Sequence, residues 1–404
     1  MADKSIHSSA TSDDDLSLFG GGPFYRLQVL LHLIGVPTSD IPRRSLYLPR
    51  RIVFSLAVCW LPLVIITALL HREALPELLK DYLVYSRVVI AIPVLLTGQL
   101  MMEDRFRIIV NHTRDARLLS DEGRRELDRV ISMLARLRDS ALPELLILIL
   151  VFADLLVIGP GRLATGPAWA ASRAGGTTQL TAAGWYYLLV SVAVYQFLIL
   201  LSLLKWLAWS FFLYRMSRLD LKLIATHSDL QGGLGFLGLA PTAFIPIAVA
   251  VSTPIGAVWR EQILHEDVRL VSFTLPAVIL VALIFMLELG PLCFFIPKLE
   301  LLRKMSKLEY GALSQRRVVE FHERWILNQS GQEEQPFVPG VAMLADLATC
   351  YTNIRRMQPL PVDKTTLIAL ALAVLIPLFP VVLAEIPLSV ILRALFQAVK
   401  SAPI

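Results

Sequence analysis

Seven apolar stretches of about twenty residues each, set apart by charged connections, limit what this sequence can become. They fall at about 52–70, 84–102, 142–159, 185–213, 236–257, 268–296 and 365–384. At a rise of about 1.5 Å per residue, a helix of that length matches a hydrocarbon layer about 30 Å thick. Lipid offers no partner to a bare peptide group, so such stretches cross as helices whose hydrogen bonds are internal. Composition agrees: 55% of the residues are hydrophobic, 18% are charged and mean hydropathy is +0.62. A soluble chain has about a quarter of its residues charged. The expected fold class is all-α, a polytopic membrane protein with about seven transmembrane helices and a helical cytoplasmic part.

Two stretches carry internal breakers. The fifth contains Pro241, Pro246 and Pro254, which predict a broken or kinked helix. The seventh contains Pro377 and Pro380 and continues beyond Pro387 as an amphipathic tail, Leu388 to Lys400, expected to lie on the surface.

Basic residues set the expected orientation. Segments 1–51, 103–141, 214–234 and 297–364 hold 28 Lys and Arg, whereas the connections on the other side hold eight. The positive-inside rule therefore predicts a cytoplasmic N-terminus and an outer C-terminus. The net charge of +5 reflects this retention rather than nucleic-acid binding, which is not expected. Residues 1–18 are polar, with Asp13, Asp14 and Asp15 in a row, unlike a cleavable signal peptide. Cys59, Cys293 and Cys350 are too far apart in sequence to suggest a metal site.

The predicted organisation follows. Residues 1–22 form a polar, disordered N-terminus, and 23–48 an interfacial helix and linker. Helices one to six occupy 49–296, with a cytoplasmic amphipathic helix at 103–140. A cytoplasmic helical segment covers 297–363, and 364–404 hold the seventh helix and the tail. The fourth helix is expected to flow on through Tyr214–Ile224, and the sixth through Lys298–Tyr310. A further amphipathic helix, Val341–Met357, is separated from the last span by Pro359 and Pro361.

The candidate site residues are of two kinds. The first lie between the fourth and fifth stretches, at what would be the cytoplasmic mouth: His227, Asp229, Gly232, Gly233 and Gly235, within HSDLQGGLGFLG. Glycines admit left-handed backbone, and successive free amides can cradle an anion. The same string also suits a tight turn whose aspartate caps the next helix. The second kind are polar residues at bilayer depth. Ionisable groups there cost roughly 2.5–3.5 kcal/mol on insertion scales and so mark ion or substrate paths. Asp154 and Glu288 are the candidates, with Thr365 and Thr366 at the inner mouth of the last helix. Lys205 is expected either to pair with Glu288 or to snorkel beside Trp206 and Trp209, and Arg87 to snorkel outward.

The glycine-rich string resembles a His-x-Asp-x-x-Gly-Gly-Leu-Gly-Phe signature of uncharacterised bacterial multi-pass membrane proteins, a resemblance confined to one loop. It implies a bacterial inner (plasma) membrane and brings no activity. The layout as a whole is similar to that of the seven-helix insect chemoreceptor-type ion channels. Those share an inner N-terminus, long fourth and sixth helices reaching into a cytoplasmic anchor, and a split seventh helix. Their last-helix Thr-Tyr and Gln-Phe pattern does not occur in Thr365–Pro380.

No Gly-x-Ser-x-Gly, His-Glu-x-x-His, Walker loop or Cys-x-x-Cys occurs, so neither an enzyme nor a cofactor is expected. Three functions remain open: a homo-oligomeric ion or small-solute channel, a proton- or cation-coupled transporter, and a non-conducting sensor or scaffold.

Overall fold

The structure is a computed structural model that describes residues 48–116, 118–164, 166–174, 177–327 and 337–386. The expected disordered N-terminus, the interfacial helix of 23–48 apart from its last residue, the polar stretch around 328–335 and the C-terminal tail lie outside the described residues.

The first long helix is α1 (Leu48–Leu70). Next comes α2 (Tyr82–Asp115), which includes a wide π turn over Ser86–Ala91 just before Pro93. Then follow α3 (Asp121–Asp139), α4 (Leu142–Val157) and a short α5 (Gly159–Ala164). The hairpin β1 (Ala171–Ala174) and β2 (Thr177–Leu180) pairs Ala171 with Leu180. After it come α6 (Ala182–Arg218), with a second π turn over Tyr187–Val192, and α7 (Ile245–His265). The last four helices are α8 (Thr274–Leu289), α9 (Ile296–Trp325), α10 (Phe337–Arg356) and α11 (Lys364–Glu385).

Among the described residues, six helical stretches are long and apolar enough to cross a membrane, those containing α1, α2, α6, α7, α8 with α9, and α11. Helix α4 reaches that length only together with α3, across a bend of 49° at Ser140 and Ala141. The chain is thus a mostly helical, polytopic integral membrane protein.

Connections gather at two ends of the bundle. At one end Leu119 bridges Leu221, Lys222 N donates to Leu118 O, and Gln358 N donates to Leu230 O. This is the glycine-loop end. At the other, Ala168 N donates to Glu77 and Trp169 Nε1 to Asp81, 3.0 Å apart. This is the hairpin end. Local chemistry sets the helix starts: Ser120, Thr181 and Asp81 each accept a backbone N–H of the first turn of the helix that follows. Gly184 permits the hairpin to seat on α6, since a Cβ there would stand 2.1 Å from the Ala170 carbonyl.

Among the described residues, three apolar clusters fill the bundle. The largest, at the glycine-loop end, is built round Phe106, Trp209 and Phe212, with Phe106 and Trp209 stacked at 4.1 Å. A second, at the hairpin end, joins α1, α2, α4 and α6. The third joins α7, α8 and α11. Gly256 of α7 lies against α11, where a Cβ would stand 2.9 Å from the Pro377 carbonyl.

Several expectations need correction. The amphipathic region 103–140 is not one helix: 103–115 continues α2, and only α3 is the amphipathic helix. Helix α6 stops at Arg218 rather than running to Ile224, and the Lys298 ammonium donates to the Leu219 carbonyl at its end. Pro254 does not break the fifth span, because α7 runs through it. A proline removes the donor to the carbonyl four residues back. Here that carbonyl, Ala250 O, receives the Tyr195 hydroxyl at 3.2 Å instead. Pro62 in α1 repeats the device: Val58 O, four residues back, receives the Tyr186 hydroxyl at 2.7 Å. The split of the last element is as expected, with α10 and α11 separated around Pro359 and Pro361.

Candidate functional site

The glycine-rich loop turns on Asp229. Leu230, Gly232 and Gly233 adopt left-handed backbone, with φ of 57°, 67° and 92°. This curls the chain so that the amides of Gln231, Gly233 and Gly235 point inward, a concave arrangement that binds anions. The anion it holds is the protein's own. Asp229 Oδ1 accepts Gln231 N at 2.8 Å and Gly233 N at 3.2 Å, and Oδ2 accepts Gly235 N at 2.9 Å. His227 Nδ1 lies 2.9 Å from Oδ1. Burial acts to raise the Asp229 carboxyl, but the three amides and His227 outweigh it and hold the group below its ordinary range. Of the two readings of this string, the geometry fits the capped turn: Gly235 opens the 3₁₀ turn that leads toward α7.

The loop also clamps its neighbours. Gly232 packs where a Cβ would meet Leu299 and Leu302 of α9 and Met357 at 3.2–3.3 Å. Leu230 O accepts Gln358 N at 2.8 Å, so the loop ties the α10–α11 connection to the bundle. Beside it lies a cavity of about 550 Å³. His112, Lys222, His227, Asp229, Phe236 and the three glycines contribute to its wall. The structure therefore brings all five residues of the string together and adds His112 and Lys222 to them.

The intramembrane candidates are not brought together. Asp154 is half-buried near the end of α4, where Oδ2 accepts Gln196 Nε2 at 3.0 Å and lies 3.8 Å from Arg162 Nη1. It is a partnered carboxylate between α4, α5 and α6. Glu288, near the end of α8, is buried, and its Oε2 has no hydrogen-bond partner among the described residues. Thr366 is buried in the first turn of α11, while Thr365 beside it is exposed.

Lys205 pairs with neither Glu288 nor the interface. Its ammonium lies 3.0 Å from Gln99 Oε1 and 3.7 Å from Glu103 Oε1, both on α2. The two charged side chains are about nine-tenths buried. Arg51 of α1 and Glu144 of α4 are close enough for their charges to act on Lys205. Four helices thus place charged groups round the buried Lys205, with Glu144 itself only half-buried. The signal for this arrangement was Gln99 and Glu103, four residues apart and so on one face of a helix. Placing the end of the second span at residue 102 hid the pair.

A second network at the hairpin end also went unforeseen. Arg87 does not snorkel: Nη1 donates to the Tyr187 hydroxyl at 2.9 Å, joining the two π turns. Asp81 holds Trp169 Nε1 and Val84 N at 3.0 and 3.1 Å. Burial raises the Asp81 carboxyl above its ordinary value, although these donors and Arg87 oppose it. Nor do Trp206 and Trp209 form an interfacial belt, since Trp209 is core and Trp206 Nε1 donates to Leu287 O at 2.6 Å.

No family model, curated protein or solved structure matches this chain.

Proposed function

We propose that this protein is a channel for a small ion or solute, assembled as a homo-oligomer whose pore is lined by α11. Each protomer has seven spans and a cytoplasmic N-terminus and sits in a bacterial inner membrane. The seventh span is α4, whose bend against α3 marks where the chain leaves the bilayer plane. The glycine-loop end then faces the cytoplasm, in keeping with the distribution of Lys and Arg.

The observation that carries the reading is the two-sidedness of α11. One face, Thr366, Leu370, Ala373, Val374, Leu378 and Val381, is buried in the protomer. The other presents Ile368, Leu372, Leu375, Phe379 and Leu383, a continuous apolar row exposed on the protomer. Placed about an axis, that row makes a constriction that opens by wetting and carries no charge selectivity. Thr365 stands at its inner mouth. The split of α10 from α11, and the long α9 beyond the bilayer, keep the similarity in layout to the insect chemoreceptor-type channels.

Conductance in planar bilayers tests the reading. Phe379→Ser puts a hydroxyl into the narrow apolar row and is expected to raise open probability severalfold. No conductance from wild type or variant would overturn it. A C-terminal tag reached from the cytoplasm would overturn the seven-span topology.

One observation favours a coupled transporter instead, namely the buried Glu288 Oε2 that has no hydrogen-bond partner among the described residues. In that case Glu288→Gln abolishes flux driven by a pH gradient, whereas a channel with α11 at its axis is indifferent to it.

A further inference from the structure

Helix α9 buries one face against the rest of the protein and leaves a patterned one bare. Leu299 and Ser306 are buried, Tyr310 is packed on the core, and Gly311 lies 3.7 Å, measured from a Cβ built on it, from Tyr351 of α10. On the opposite side stand Leu301, Met305, Leu308, Ala312, Gln315 and Val319, all exposed. Leu308 is 73% exposed, and with Leu301, Met305 and Val319 it belongs to one contiguous apolar strip.

The spacing of that row alternates four and three residues, the seam of a left-handed coiled coil. It spans about 27 Å at 1.5 Å per residue. Lys298, Arg303, Lys304 and Lys307 stand among its first turns, so the row lies beyond the apolar stretch and lipid does not account for it. Apolar residues at this period want a second helix at this period.

We propose that the α9 seam packs against the α9 seam of a second copy of this chain, in parallel and in register. The proposal rests on the homo-oligomeric reading and names the surface that holds the protomers together outside the bilayer. Three features choose a second copy as the occupant. Protomers in one membrane share an orientation, so their α9 helices are parallel by necessity. In a parallel pair the residue before one seam position meets the partner's residue five further on, which sets Lys304 against Glu309 of the other chain with opposite charges. Gln315 is the one polar residue within the seam and fixes register by finding its own copy. A seam under three heptads long is weak in free solution, but the shared membrane raises the effective concentration enough for it to close.

Cysteine cross-linking in native membranes tests this. In a Cys293→Ser, Cys350→Ser background, Leu308→Cys is expected to give a disulfide-linked species of twice 45.0 kDa at least tenfold faster than Arg317→Cys, which lies off the seam. Lys304→Glu should slow that cross-link severalfold, and adding Glu309→Lys should restore it. Equal rates at positions 308 and 317, in a particle that still holds several protomers, would overturn the seam and leave the oligomer standing. A cross-linked species of any other mass would overturn it in favour of a different partner. A particle of one protomer would overturn both.

Discussion

The Tyr195 hydroxyl of α6 is bound to the Ala250 carbonyl of α7, the one carbonyl that Pro254 deprives of its helical donor. A hydroxyl from a neighbouring helix thus replaces the missing N–H, and the helix runs on. Tyr186 does the same for Val58, four residues before Pro62.

A double-mutant cycle checks this pairing. Tyr195→Phe should lower stability by about 1 kcal/mol, in the range of interhelical hydrogen bonds in membranes. Restoring the backbone donor with Pro254→Ala should make the same Tyr195→Phe change nearly neutral. Equal costs in both backgrounds, read from denaturant unfolding in detergent micelles, would deny the exchange.

The Lys205–Glu103 pair predicts a sharper asymmetry. Lys205→Met removes a buried cation from beside Glu103 and should cost about 3–5 kcal/mol. Adding Glu103→Gln removes the buried carboxylate charge as well and should recover most of the loss. Thermal unfolding of the purified single and double variants reads this directly, and additive losses would mean that the two groups do not depend on each other.

Asp229 gives a pH dependence. Its carboxyl is held below the ordinary value in the folded protein, so the unfolded chain takes up the proton at the higher pH. The stability it contributes is therefore complete above the unfolded value near 3.9 and is lost as pH falls through the folded value. Asp229→Ala should remove roughly 1–3 kcal/mol at neutral pH, from three amides bound to a partly solvated charge. It should also flatten that acid limb, as measured by unfolding between pH 6 and pH 3. An unchanged limb would place the titration elsewhere.

Close approach of α7 and α11 makes the fourth prediction. Gly256→Val would drive side-chain carbon into the Pro377 carbonyl and should destabilise by about 1–3 kcal/mol. If the protein folds and assembles with unchanged thermal stability, the two helices are further apart than described.

Much of the fold was legible, because hydrophobic block length speaks directly to bilayer thickness. The apolar stretches near 52–70, 185–213 and 365–384 each lie within a long helix of the structure. Boundaries were less legible. Gln99 sits inside the second apolar stretch and Glu103 one residue past its end, where Asp104, Arg105 and Arg107 conceal that α2 continues as one helix. Partners were hidden altogether: only the fold brings Lys205 to Glu103 and Arg87 to Tyr187, a hundred residues apart. The glycine loop shows the reverse. Its residue types were readable as a nest, but whether Asp229 or an outside anion fills it depends on side-chain geometry.

The mass of the nanodisc-embedded particle, after subtracting lipid and scaffold, tests the central claim most directly. A homo-oligomeric channel lined by α11 requires a fixed number of 45.0 kDa protomers, three or more, in a closed ring. A single protomer across the full range of solubilisation conditions would contradict it, since the exposed row of α11 would then face lipid and not a pore.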